Sequence, residues 1–172
     1  RAVTDIVQPC REQREGMTNR ASIAALLHDL DRRSPAGFAI ALHITFSAPR
    51  YMFQTYAQRW LDRYNAGGLL LRDPVVRWGM QNLGRTRWSD LERMDGEHVF
   101  DEARNFGLMT GAAISVFDSG TRSIGGFARA DREYEDCELQ EMEDLLATLH
   151  AETATLQTLS PDDREALTAL SI

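Results

Sequence analysis

Tyr56, Trp60 and Tyr64 recur at intervals of four residues, which sets three amphipathic rings on one face of a helix. Asp73 follows, directly before Pro74, and Trp88 completes the group. Tyrosine and tryptophan bury large apolar areas, yet each carries an O–H or N–H that needs an acceptor. An ionised carboxylate can only accept. A lining of this kind, mostly apolar with a few convergent polar groups, is what a pocket for a small amphiphile requires. The same residues also suit plainer roles. A Tyr/Trp face packs a core, and an Asp before Pro caps a helix. Spacing alone leaves both readings open.

Other chemistries find no support. His28, His43, His98 and His150 are scattered, with no HExxH and no Cys/His cluster at metal-ligand spacing. There is no GxSxG and no GxxxxGK[ST], and Gly125-Gly126 does not make a GxGxxG. His43 lies in an alternating segment and reads as structural. No enzyme, metal or cofactor is expected. The net charge of −7 argues against nucleic-acid binding by this chain itself, since phosphate neutralisation needs a basic face. No apolar run approaches the ~18 residues of a membrane span. Cys10 and Cys137 form no framework and read as free thiols of a reducing compartment. All nineteen basic residues are arginine.

These candidate residues need elements to hold them. Residues 1–16 are polar and aperiodic and read as a flexible N-terminal tail. Ile23, Leu26, Leu27 and Leu30 mark an amphipathic helix starting near Asn19 and ended by Ser34-Pro35. Phe38, Ile40, Leu42, Ile44 and Phe46 alternate as one buried strand face, and Arg50–Thr55 offers a hairpin partner. Gly67-Gly68 ends the aromatic helix. Asp73-Pro74 opens the next, with Val75, Val76 and Leu83 apolar and Gly84 closing it. Val99, Phe100, Ala103 and Phe106 indicate another helix.

Ala112, Ile114 and Val116 alternate again, and Asp118-Ser119-Gly120-Thr121 turns the chain into a partner strand over Ser123–Ala130. A long helix follows from about Arg132, with Leu139, Met142, Leu145, Leu146 and Leu149 inward and its acids solvated. The order predicts an α+β fold, an α/β/α sandwich around a central antiparallel sheet of about five strands, GAF/PAS-like. The domain is expected over 17–157. Residues 158–172 then hold a linker and a new capped helix start at Ser160-Pro161-Asp162-Asp163.

The pattern Tyr56-x3-Trp60-x3-Tyr64-x8-Asp73-Pro74-x13-Trp88, then Gly107-Leu108-x2-Gly111 and Gly125, resembles the autoinducer-binding domain of LuxR-type quorum-sensing transcriptional regulators. The likeness covers about residues 20–158. Leu159-Ser160-Pro161-x3-Glu165-x-Leu167 resembles the opening of that family's helix-turn-helix domain. The resemblance implies a cytoplasmic bacterial sensor that encloses an N-acyl-homoserine lactone between sheet and helices and forms a homodimer. Such a chain meets DNA only through a C-terminal helix-turn-helix domain.

By the same resemblance, Trp60 donates its indole N–H to the lactone carbonyl, Asp73 accepts the ligand amide N–H, and Tyr56 donates to the acyl carbonyl. Trp88 packs on the lactone ring and Tyr64 lines the acyl side. Leu42, Ile44, Val76 and Ile114 are the expected acyl wall from strand and helix phase. Ala128 stands where many members offer a hydroxyl. With Ser115, Val75 and Leu61 also departing from the family pattern, the acyl side is expected to favour chains without a 3-oxo group. A ligand-free dimerisation module and a receptor for a non-lactone signal are the alternatives.

Overall fold

In a computed structural model, residues 8–46, 48–154 and 156 are described. The first helix, α1, runs Gln8–Arg33. The expected tail over 1–16 is thus helical from Gln8, ahead of the start expected near Asn19. Residues 1–7, and the linker with its capped helix start over 158–172, lie outside the described residues. Strands β1 (Gly37–Ile44) and β2 (Tyr51–Gln54) follow, then α2 (Gln58–Ala66), a 3-10 turn at Leu69–Leu71 and α3 (Pro74–Gln81). Next come β3 (Gly84–Arg87), the short α4 (Trp88–Leu91) and α5 (Val99–Arg104). The hairpin β4 (Thr110–Asp118) and β5 (Thr121–Arg129) leads into α6 (Asp136–Ala154).

All five strands form one antiparallel sheet in the order β2-β1-β5-β4-β3. The α+β sandwich expected from the sequence is the observed architecture. Ser119 and Gly120 both have positive φ, 49° and 80°, which is the backbone a tight two-residue hairpin between β4 and β5 needs.

Strand alternation divides the sheet between two cores. Phe38, Ile40, Leu42, Ala112, Ile114 and Phe127 pack against Ile23, Leu27 and Leu30 of α1 and against the apolar stripe of α6. Ala113 and Ala128 face the other way, toward Trp60, Leu69, Val75, Trp88, Val99 and Phe100. Burying a side chain of Leu or Phe size contributes about 1.5–3 kcal/mol, so each layer supports the sheet independently.

Two features depart from the sequence reading. β3 (Gly-Arg-Thr-Arg) has no apolar alternation and was not expected as a strand; its first residue, Gly84, was expected only to close the preceding helix. It is strand because Gly84–Arg87 completes a ladder with Ala112–Ser115, while Arg85 and Arg87 reach Glu143 and Asp136. Basic residues on an edge strand also discourage edge-to-edge pairing.

The second departure is in β1. Its register to β5 passes from Ala41↔Ile124 to Ile44↔Arg122, so Leu42 and His43 share one opposing residue. His43 sits in this bulge at φ 54°, held by Ser123 Oγ on its backbone N–H and by Thr121 and Thr153 on its ring. The extra residue reverses the facing of the strand. Phe38, Ile40 and Leu42 point to α1 and α6, whereas Ile44 points to the opposite side.

Candidate functional site

On the side away from α1 and α6, the sheet presents small residues. Ala39 pairs with Gly126, and Gly126 pairs in turn with Ala113. α2, the Leu69–Leu71 turn, α3 and α5 bridge over this stripe. Between them lies a cavity of about 480 Å³, floored by Ala39, Ala41, Ile124 and Gly126. That volume falls in the range of small-molecule sites.

Asp73 is the N-cap of α3, and its Oδ1 accepts from the Val75 N–H at 2.8 Å. Its Oδ2 accepts from the Tyr64 hydroxyl at 2.7 Å. The Val76 backbone N–H also bonds to this carboxylate; a carboxylate offers about four lone-pair directions, so three bonds leave capacity for one donor from a guest. Burial pushes the Asp73 carboxyl up from its ordinary range, while the bonds from Tyr64, Val75 and Val76 pull against that shift. Burial also raises Tyr64, with the Asp73 charge adding to it, so Tyr64 remains a donor. Tyr56, raised first by burial, donates to the Gly126 carbonyl at 3.1 Å.

Trp60 packs its ring on Tyr64 and Phe106, with centroids 5.6 and 5.4 Å apart. Trp88 stacks on Phe100 at 5.0 Å and 17° and lies flat on Gly111. A Cβ at Gly111 would fall 2.4 Å from Trp88 Cε2 and 2.3 Å from the Phe127 carbonyl oxygen. Only glycine fits there. The Trp88 Nε1–H is buried with no hydrogen-bond partner among the described residues. An orphaned donor of this kind costs about 1–3 kcal/mol.

Tyr56, Trp60, Tyr64, Asp73, Val76, Trp88 and Ile44 all line this one cavity. Leu42 and Ile114, expected on the acyl wall, do not. They are fully buried in the core toward α1 and α6. Ile44 had been grouped with Leu42 by strict alternation, but the bulge at His43 separates them. Ala128 is on the cavity side of the sheet but is fully buried and packed outside the lining. The sequence reading missed Ala39, Ala41, Leu70, Leu71, Val99, Phe100 and Ala103 as lining residues. The alanines carried a usable signal: small residues opposite Phe38, Ile40 and Leu42 leave space where a packed layer would have side chains.

Among the described residues no group of His, Cys, Asp and Glu is placed to hold a metal. No helix among them is long and apolar enough to cross a membrane.

Residues 37–154 match the family model described as the autoinducer binding domain. The transcriptional activator protein VanR of Vibrio anguillarum is 32% identical over 88 residues, 49% of this chain and 37% of VanR. The transcriptional activator protein SolR of Ralstonia nicotianae is 30% identical over 112 residues, 64% of this chain and 47% of SolR. The chain therefore spans about a third to a half of the length of these relatives. Among solved structures, SdiA in complex with octanoyl-rac-glycerol superposes with a TM-score of 0.61 at 18% identity. The match covers 94% of this chain and 72% of that one. At that identity it is a likeness of fold.

Proposed function

Since the chain belongs to the autoinducer binding domain family, we propose that it is the sensing part of a bacterial quorum-sensing transcriptional regulator. It holds an N-acyl-homoserine lactone in the cavity under α2 and α3. In this reading Asp73 accepts the ligand amide N–H beside its bond from Tyr64, and Trp60 donates to the lactone carbonyl. Tyr56 turns its hydroxyl from Gly126 to the acyl carbonyl, and Trp88 packs against the lactone ring.

The observation that carries the reading is the acceptor capacity left on Asp73 within a void of about 480 Å³. An acceptor in that space must meet a donor brought by the guest, or lose the free energy of an unmade bond. The void of about 480 Å³ weighs against a module that only dimerises, because such a module would fill that space with its own side chains. Octanoyl-rac-glycerol in SdiA keeps a second reading open, an acyl lipid without a lactone. As a regulator, the full-length protein is cytoplasmic, pairs as a homodimer and meets DNA through a separate helix-turn-helix domain. The domain itself extends over 17–157.

Thermal denaturation and isothermal titration with acyl-homoserine lactones of four to fourteen carbons test the proposal. A ligand at a hundred times its Kd stabilises the fold by about 2.7 kcal/mol. No response to any lactone in the panel would refute it.

A further inference from the structure

Among the described residues, the cavity is not closed on all sides. Trp60 and Trp88 are only 5% and 6% exposed at its polar end. Elsewhere in its lining, side chains also lie open to solvent. Phe46 is fully exposed and Leu71 is 91% exposed, with Met52, Leu70 and Met80 at 43–57%. These five come from three separate places: the end of β1 with β2, the turn before α3, and α3 itself. Asp73 is the one charged side chain of the lining among the described residues. These five open side chains are therefore uncharged, apolar and part of the same lining as the interior. Contiguous exposed apolar side chains of this kind mark a surface that something covers.

We propose that this opening is a tail port. Resting on the reading of the cavity as the ligand site, the ligand's acyl chain runs from the Asp73 end outward between Phe46 and Leu71. Its outer carbons cover those side chains. A cavity sealed at both ends limits chain length sharply, whereas an open apolar mouth rewards each further methylene. The ligand class is accordingly a long, unbranched acyl group, uncharged to its end. Phe46 and Leu71 are chain-length determinants that touch the outer carbons and not the head group. A polar group near the terminus of the chain would be desolvated there without a partner.

The test is a ratio. Each methylene buried tightens binding roughly fourfold, so the dissociation constants for hexanoyl- and dodecanoyl-homoserine lactone should differ by on the order of a thousandfold. In Leu71→Gln and Phe46→Gln that ratio should shrink at least tenfold. In Leu83→Gln, an exposed leucine outside the lining, it should stay as in the parent chain. Melting temperatures without ligand show that each variant is folded. A ratio untouched by Leu71→Gln and Phe46→Gln overturns the port, as does affinity that peaks at eight carbons or fewer. A change of oligomeric state in those variants with no change in the ratio also overturns it, since the patch then covers a second protein. Monoacylglycerols of eight to fourteen carbons separate the port from the head-group reading. If they show the length dependence and lactones of every length fail, the port stands and the lactone assignment falls. If neither series binds, both fall.

Discussion

Replacing Asp73 by Asn separates a cap from a ligand acceptor. Asn and Asp are equivalent N-caps, so the bond from Val75 survives through the amide oxygen. Tyr64 keeps a partner as well, because its hydroxyl can accept from the new NH2 group. Burial holds the Asp73 carboxyl above its ordinary range, so its charged form is disfavoured in the folded chain. The sign follows from linkage. A carboxyl whose folded pKa is raised contributes less stability as the pH climbs past its unfolded value of 3.8. At pH 7 the neutral amide should therefore leave the unliganded domain as stable as the parent, or more so.

Ligand binding should behave differently. A charge-assisted bond to the ligand amide is worth about 1.5–3 kcal/mol, and the variant turns an NH2 group toward that N–H. The expected loss is roughly ten- to hundredfold in affinity. Titration calorimetry reads the loss, and thermal denaturation without ligand reads the cap. For a chain of this length 1 kcal/mol shifts Tm by about 2–4 °C. Lactone affinity equal to that of the parent would refute the acceptor role. A Tm lowered by more than about 4 °C would show that the charge, and not the acceptor geometry, holds the helix start.

Three further outcomes are expected. Trp60→Phe keeps a ring against Tyr64 and Phe106 but deletes the N–H, so lactone affinity should fall about two- to tenfold. Equal affinity would remove Trp60 from the polar contacts. Gly111→Ala drives a methyl into the Phe127 carbonyl and Trp88, and should cost about 1–3 kcal/mol in denaturant unfolding; a neutral result would show that both the strand backbone and Trp88 give way. His43 has its pKa lowered to about 4, by burial first and then by the charges of His150 and Arg50. Stability tied to neutral His43 is complete above its ordinary 6.5 and drains away as pH falls toward 4, on the order of 2 kcal/mol once solvent screening is allowed for. His43→Asn, which tolerates the left-handed backbone, should flatten that pH slope; an unchanged slope would assign it to other groups.

The aromatic set and its carboxylate were readable because each rests on a local rule. Tyr56, Trp60 and Tyr64 follow helix spacing, and Asp73-Pro74 is an N-cap that local backbone chemistry demands. The hairpin turn at Ser119-Gly120 is equally local. What was hidden depends on partners distant in sequence. β3 is strand only because β4 pairs with it and α6 supplies carboxylates to its arginines. The facing of Ile44 depends on one extra residue opposite Ser123, which no alternation within β1 announces. Leu42 and Ile114 were assigned to the cavity on strand phase alone, and phase fixes which residues share a face without saying which face looks at the helices over the void. Trp88 was visible as a residue type, but its lack of an acceptor emerges only once Phe100 and Gly111 enclose it.

Ala39, Ala41 and Gly126 make room by withholding carbon atoms, and the backbone ladder beneath is indifferent to what those positions carry. Capacity can therefore drift without the skeleton moving. One added methyl trims the guest that fits, and a bulkier side chain at Ala39 or Ala41 would supply the domain with an internal plug. Listening and deafness would then differ by a few atoms on an unaltered frame.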